Sequence, residues 1–303
     1  MSYNLKDKLV IAISSRAIFD LEKENEIYEK EGLEKYSKFQ VENEEKILEK
    51  GTAFPLIQAL LNLNNKFDEP IVEVIVMSRN SPETGLRVFN SIKHYELNIV
   101  RAAFTGGEDI ARYLGAFEVD LFLSKNEHDV QDAIDKGYAS ALIYNIPNDF
   151  KPAENEIRIA FDADAVVFSE ESEKIYKEKG LEAFLENEKN NAEKLLPEGP
   201  FGKLLKTLSK IKDKDSSLLR IAIVTARNSP AHKRVILTLR QWGCIVDDAF
   251  FLGGVSKNEV LKAFNAHIFF DDQDTHVAPA SELIPSGRVP YKSNSSMNLD
   301  EVS

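Results

Sequence analysis

The chain has 303 residues, 43% of them hydrophobic and 29% charged, which suits about two ordinary globular domains and excludes a collagen-like or wholly disordered protein. Its 38 Lys and Arg against 50 Asp and Glu give a formal net charge of −12, and no basic face of the kind a nucleic-acid binder carries is evident. The longest apolar runs, Leu9–Ile13 and Ile71–Met77 (broken by Glu73), fall far short of the roughly 18 residues of a membrane span. Only five apolar residues follow the charged start, too few for a signal peptide, so the expected compartment is the cytoplasm and no membrane partner is expected. The single cysteine, Cys244, reads as a buried structural thiol.

In chain order, a short apolar strand, Leu9–Ile13, precedes a long charged stretch of helical character and a second strand, Val72–Met77. An amphipathic helix begins near Ser81-Pro82, and a third short strand runs into Thr105-Gly106-Gly107. After another helix, a last apolar strand spans Leu121–Leu123. The segment 146–156, rich in turn and charged residues, reads as a joint. Beyond it the same order returns: Ile157–Phe161, a charged helical stretch, Arg220–Val224, a helix from Ser229-Pro230, Gly253-Gly254, and Ile268–Phe270.

The recurrence extends to residue identities. Residues 11–36 match residues 159–184 at nine of 26 positions, too many for chance alignment of two helical stretches, and Val76-Met-Ser-Arg-Asn-Ser-Pro falls on Val224-Thr-Ala-Arg-Asn-Ser-Pro in the same register. After a slip of one residue, Thr105-Gly-Gly meets Leu252-Gly-Gly. The expected architecture is therefore α/β, with two tandem copies of a Rossmann-like, doubly wound parallel-sheet unit. Residues 1–150 form the first copy and 151–291 the second, with a helical cap inserted at about 170–214. Residues 292–303, which lack an apolar period, are expected to be a disordered tail.

In open parallel sheets, ligands bind at the carboxyl ends of the strands. In the second copy those ends carry Asp162 and Asp164, then Thr225, then Lys257 after Gly253-Gly254, then Asp271 and Asp272. Singly, each has an ordinary structural role: Asp-x-Asp forms turns, a threonine caps a helix, a lysine faces solvent. Together they place four carboxylates, a hydroxyl and an ammonium on one edge. Clustered carboxylates repel one another unless a hard cation such as Mg²⁺ neutralises them. A carboxylate can attack phosphorus, and the transferred group then needs donors and positive charge around its oxygens.

This series resembles the haloacid dehalogenase-like hydrolase superfamily. More narrowly, Phe161-Asp-Ala-Asp-Ala-Val-Val-Phe-Ser-Glu-Glu-Ser-Glu, Val224-Thr-Ala-Arg, Thr238-Leu-Arg-Gln-Trp-Gly and His267-Ile-Phe-Phe-Asp-Asp-Gln resemble the cytosolic 5′-nucleotidase type I family. Ser14-Ser-Arg-Ala-Ile-Phe, Asn90-Ser-Ile-Lys-His-Tyr and Thr105-Gly-Gly extend the resemblance into the first copy. The resemblance implies a Mg²⁺-dependent hydrolase that releases phosphate from nucleoside 5′-monophosphates through an aspartyl-phosphate. Asp162 would be the nucleophile, Asp164 the general acid and base, Thr225 a phosphate ligand, and Lys257 the stabiliser of phosphate and nucleophile charge. The metal would be held by Asp162, the Asp164 backbone carbonyl and Asp271, with Asp272 supporting. A homo-oligomer such as a tetramer is implied as well. A phosphatase of another small phosphomonoester, such as a phosphosugar, and a silent nucleotide-binding regulator are the alternatives.

In the repeat register the first copy has lost this chemistry: Ser14 stands against Asp162, Arg16 against Asp164, Met77 against Thr225, and Ser124-Lys125 against Asp271-Asp272. That copy is either scaffold or a recognition surface, with Ser14, Arg16, Arg79 and Asn80, together with Ala226 and Arg227 of the second copy, as candidate substrate or effector contacts. For Arg16 the structural alternative is a salt bridge to Glu22 or Glu24. The runs Glu22–Glu31 and Glu186–Lys194 read as solvated helix faces. His267 and His276 flank the Asp pair, either as hydrogen-bonded structural residues or as metal ligands. Pro197–Gly202 reads as a loop over the ligand.

Overall fold

The computed structural model describes residues 3–145, 147 and 150–300. The N-terminal half contributes β1 (Leu9–Ile13), β2 (Phe19–Asp20), β3 (Glu49–Lys50), β4 (Val72–Ser78), β5 (Arg101–Phe104), β6 (Leu121–Ser124) and β7 (Ser140–Ile143). The C-terminal half contributes β8 (Ile157–Phe161), β9 (Leu219–Thr225), β10 (Asp248–Phe251), β11 (Ile268–Asp271) and β12 (Ser286–Arg288). Apart from the small β2–β3 ribbon, these strands form one sheet of ten, in the order β10-β9-β8-β11-β12-β7-β6-β1-β4-β5. Every residue of β1 and β4 is buried, as helices cover both faces of a parallel sheet.

Within each half of this ten-stranded sheet pairing is parallel, and the halves meet at the antiparallel pair β7–β12, where Gly287 lies opposite Ile143 and Arg288 opposite Leu142. A side chain at Gly287 would come within 3.1 Å of Ala141 Cβ and Ile143 Cδ1, so glycine lets the two strands pack closely at the seam. Because β7 and β12 run in opposite directions, so do the strands of the two halves, and their carboxyl edges open to opposite sides. On one face a continuous apolar core runs across the seam from Leu9, Phe19 and Phe54 to Phe161, Phe201 and Phe270. The other face has a separate cluster in each half.

Several expectations need correction. The strands Leu121–Leu123 and Ile268–Phe270 are not the last in their halves: β7 and β12 follow, and β12 is Ser-Gly-Arg, with no apolar residue to mark it. The helix Gly202–Lys214 does not belong to a cap, because it buries Leu204, Leu205, Leu208 and Ile211 in the main core. Pro197–Gly202 packs against the turn after β8, with Gly199 and Phe201 donating backbone hydrogen bonds to Val167 and Val166. The segment after Tyr291 packs on the fold as far as it is described: Ser293 bonds Asp135 through its backbone N–H and its hydroxyl, and Met297 is buried against Ala165 and Tyr291. Single anchoring residues, which carry no periodicity, hold it. Residues 301–303, and Ile146, Asn148 and Asp149 of the expected joint, lie outside the described residues.

His267 is a structural residue. Its ring Nδ1 accepts the backbone N–H of Arg158 at 3.2 Å, and its own N–H donates to the Arg158 carbonyl at 2.7 Å, tying β11 to β8. Burial, with the Arg158 charge, lowers its pKa from 6.5 to about 4. The ring is neutral when folded, while the unfolded chain takes up a proton below 6.5, so this contribution to stability is complete above that value and is lost as pH falls toward 4. His267→Asn keeps an acceptor without the titration. Its melting temperature should fall less than the parent's across that interval, and an equal fall would show that His267 does not titrate in this way.

Candidate active site

The site is built on the carboxyl ends of β8, β9 and β11. Asp162 directly follows β8, and its N–H donates to the Phe270 carbonyl at 2.8 Å, which extends the β8–β11 ladder and fixes the side chain at the sheet edge. The chain then turns tightly: Asp164 is extended, Ala165 is left-handed at φ 60°, and Phe168 N–H closes the turn on the Ala163 carbonyl. A non-glycine residue in that region is uncommon and is held here by its buried surroundings. Asp271 ends β11 with Asp272 next to it, and Lys257 stands just before the helix Asn258–Phe264.

These groups converge. The carboxylates of Asp162, Asp271 and Asp272 each bring an oxygen within 4.8 Å of the others, all three buried. Lys257 Nζ donates to Asp162 Oδ1 and to Asp271 Oδ2, both at 2.6 Å. Asp271 Oδ1 also accepts the Gln273 N–H at 2.9 Å and faces His276 Nδ1 at 3.4 Å, and Asp272 accepts from the Tyr291 hydroxyl. Thr225 is buried at the end of β9, and its Oγ1 accepts the Arg227 N–H.

One ammonium against three buried carboxylates leaves negative charge uncompensated. Burial, reinforced by Asp271 and Asp164 and opposed by Lys257, pushes Asp162 up to about 7. Burial and the charges of Asp271 and Asp162 raise Asp272 well above the usual carboxylate range. At Asp271, burial is outweighed by Lys257 and His276, which hold it low. Buried, hard oxygen donors with excess negative charge fit a divalent cation such as Mg²⁺.

Not every expected site residue joins this cluster. Asp164 turns its carboxylate into the fork of Arg227, with Nε at 2.7 Å and Nη2 at 2.6 Å. Arg227 is buried, whereas Ala226 is exposed. Ser14, Arg16, Arg79 and Asn80 lie at the opposite-facing edge of the N-terminal half. Five strand steps separate β1 from β8, about 24 Å at a spacing of about 4.8 Å, so within one chain these four do not share a site with Asp162. Arg16 makes the salt bridge to Glu22, at 3.2 Å.

Several supporting residues escaped the sequence reading. Glu188, in a run expected to be a solvated face, is fully buried and accepts from Arg227 Nη1 at 2.6 Å, Arg234 Nη1 at 2.9 Å and Ser172 Oγ at 2.9 Å. Glu24, in the other such run, is buried against Arg87 Nη1 at 2.6 Å. The one available signal was the repeat register, which sets Glu188 against Gln40, a residue that also bonds Arg87. Tyr291, which caps Asp272, carried no signal.

A buried, lysine-bridged carboxylate cluster at the strand ends of an α/β sheet is an arrangement suited to phosphoryl chemistry, and the comparisons with known proteins agree. The family described as 5′-nucleotidase matches residues 1–296, and the chain belongs to that family. Human cytosolic 5′-nucleotidase 1B is 37% identical over 292 residues, which cover 92% of this chain and 48% of the human protein. The chain thus spans about half the length of the curated relative it matches. A solved structure of the Pnkp1/Rnl/Hen1 complex aligns over 96% of this chain and 99% of that one at 11% identity, with a TM-score of 0.32, too low to bear on the fold.

Glu188 neutralises two arginines at once. Removing one partner of a buried ion pair typically costs about 3–5 kcal/mol, so Glu188→Ala should lower unfolding stability by that order in urea denaturation. A loss below about 1 kcal/mol, the range of exposed pairs, would show that Arg227 and Arg234 find other compensation.

Proposed function

We propose that this chain is a Mg²⁺-dependent 5′-nucleotidase that converts nucleoside 5′-monophosphates to nucleoside and phosphate. The observation that carries the reading is the Asp162 carboxylate, buried at the end of β8 and held by Lys257 beside Asp271 and Asp272. Asp162, Asp271, Asp272 and the Asp164 backbone carbonyl would hold the cation, which when bound supplies charge neutralisation for the carboxylates and the phosphate.

An Asp162 oxygen attacks phosphorus in line, the bond from phosphorus to the 5′ oxygen breaks, and Asp164, swung out of the Arg227 fork and protonated when substrate binds, gives its proton to the departing nucleoside oxygen. Asp164 then takes a proton from water, whose oxygen attacks phosphorus, and the bond to Asp162 breaks to release phosphate. Thr225 Oγ1 and Lys257 Nζ bind the phosphoryl oxygens, and Arg227 fixes the orientation of the Asp164 carboxylate between turnovers. The kinked helix Glu171–Asn190, inserted between β8 and β9, supports a cap over the site smaller than residues 170–214.

The strand orders β10-β9-β8-β11-β12 and β5-β4-β1-β6-β7 correspond position by position, which supports a duplication with a degenerate N-terminal half, 1–150, and a catalytic half, 151–291. A cytoplasmic location and a homo-oligomer belong to the same reading. It draws on the relative's name for the first, and among the described residues no helix is long and apolar enough to cross a membrane.

Phosphate release measured across nucleoside monophosphates and sugar phosphates, with Mg²⁺ or with a chelator, tests the proposal. Nucleoside monophosphates should be preferred, the chelator should abolish turnover, and Asp162→Asn should reduce kcat by more than about a thousandfold without lowering the melting temperature. Preference for sugar phosphates over all nucleotides would overturn the substrate assignment. Activity of Asp162→Asn within about tenfold of the parent would overturn the nucleophile.

A further inference from the structure

The N-terminal half holds a cavity of about 360 Å³ between the carboxyl ends of β1, β4 and β6 and the helices Glu22–Glu31 and Leu33–Glu42, a volume in the range of small-molecule sites. Three of its polar atoms are buried and unpartnered among the described residues: Ser14 Oγ, Arg16 Nε and Asn80 Nδ2. Such atoms are rare in folded proteins and costly without a partner. Two of them can only donate, and the third is a hydroxyl, so the missing partner is a set of acceptors.

The charges nearby favour an anion. Arg16 and Lys125 share one carboxylate, Glu22, with Lys125 Nζ at 2.8 Å. The carboxylates in the cavity wall, Glu24 and Asp129, are each taken up by an arginine, Arg87 and Arg79. At the corresponding strand ends of the other half stand Asp162, Asp164 and Asp271, where this half has Ser14, Arg16 and Ser124. The exchange removes the nucleophile and the cation ligands and leaves donors that can hold an oxyanion directly.

The far wall differs in character. Tyr28 and Tyr36 meet edge to face at 5.8 Å, with Tyr28 and Leu33 exposed at the rim. The Tyr36 hydroxyl donates to Asn80 Oδ1 at 3.1 Å, which occupies the amide oxygen and leaves the Asn80 amide nitrogen as the group without a partner.

We propose that this cavity is a second small-molecule site, which binds a phosphate monoester carrying a planar ring, without a metal ion and without turning it over. The oxyanion meets Ser14, Arg16 and Asn80, which converge from the ends of β1 and β4, and the ring lies against Tyr28 and Tyr36. The site is independent of the catalytic proposal, since it uses the opposite edge of the sheet and needs no cation.

Calorimetric titration of the full chain with phenyl phosphate, in a chelating buffer, tests this. Saturable binding with a Kd below about 1 mM is expected, tighter than for inorganic phosphate. Ser14→Asp, which restores the carboxylate of the other half, and Arg16→Ala should each weaken it by about tenfold or more. If Ser14→Asp unfolds, Arg16→Ala carries the test alone. Asp162→Asn should leave the affinity unchanged. Absence of saturable binding overturns the proposal. So does affinity that changes with Asp162→Asn and persists in Arg16→Ala, which would place the anion in the catalytic half. Phosphate release with Mg²⁺ is a separate readout, so failure of either proposal is visible on its own.

Discussion

The Lys257 ammonium, 2.6 Å from both Asp162 and Asp271 and almost wholly buried, is the contact on which the carboxyl edge of the C-terminal half depends. Carboxylates cluster inside a protein only if their charge is answered, since an unpaired buried ion costs several kcal/mol or shifts its pKa until it is neutral. Lys257 answers part of that charge, and burial, with the Asp271 and Asp164 charges beside it, still pushes Asp162 up to about 7. A second layer follows the same logic. Asp164 is matched by Arg227, Arg227 by Glu188, and Glu188 by Arg234, so the turn after β8 is tied to the helices Glu171–Asn190 and His232–Trp242 through buried charge. The result is an edge braced by buried ion pairs and short of positive charge at one place.

The antiparallel seam between β7 and β12 determines what the two halves can share. It makes one sheet and one continuous core on one face, and it turns the two carboxyl edges away from each other. A ligand at one edge is thus out of reach of side chains at the other. Each half ties its helices together through a buried arginine: Arg87 is bonded to Glu24 and Gln40 in the N-terminal half, and Arg234 to Glu188 in the other.

The parts of the molecule that depend on repeated pattern were legible in the sequence. β1, β4, β8 and β9 are apolar runs buried on both faces, and any strand pattern finds them. The order of Asp, Thr, Lys and Asp-Asp along the chain also marked which groups would stand at one edge. The parts that depend on a single contact were not legible. β12 is recognisable only by its pairing, Met297 and Ser293 anchor a segment of otherwise polar composition, and Glu188 looks like its exposed neighbours until its two arginines are in place. Asp164 illustrates the same limit: its position on the edge was evident, but the direction of its side chain is set by Arg227, 63 residues away.

If uncompensated charge is what defines this edge, a divalent cation should stabilise the folded chain apart from any effect on turnover, because a ligand that binds only the folded state raises its stability by mass action. The direct measurement is the melting temperature in chelator and in saturating Mg²⁺, for the parent and for Asp271→Asn. A rise of several degrees in the parent and little or none in Asp271→Asn is the predicted result. An unchanged melting temperature in the parent, or an equal rise in both, would show that the buried carboxylates are not a cation site.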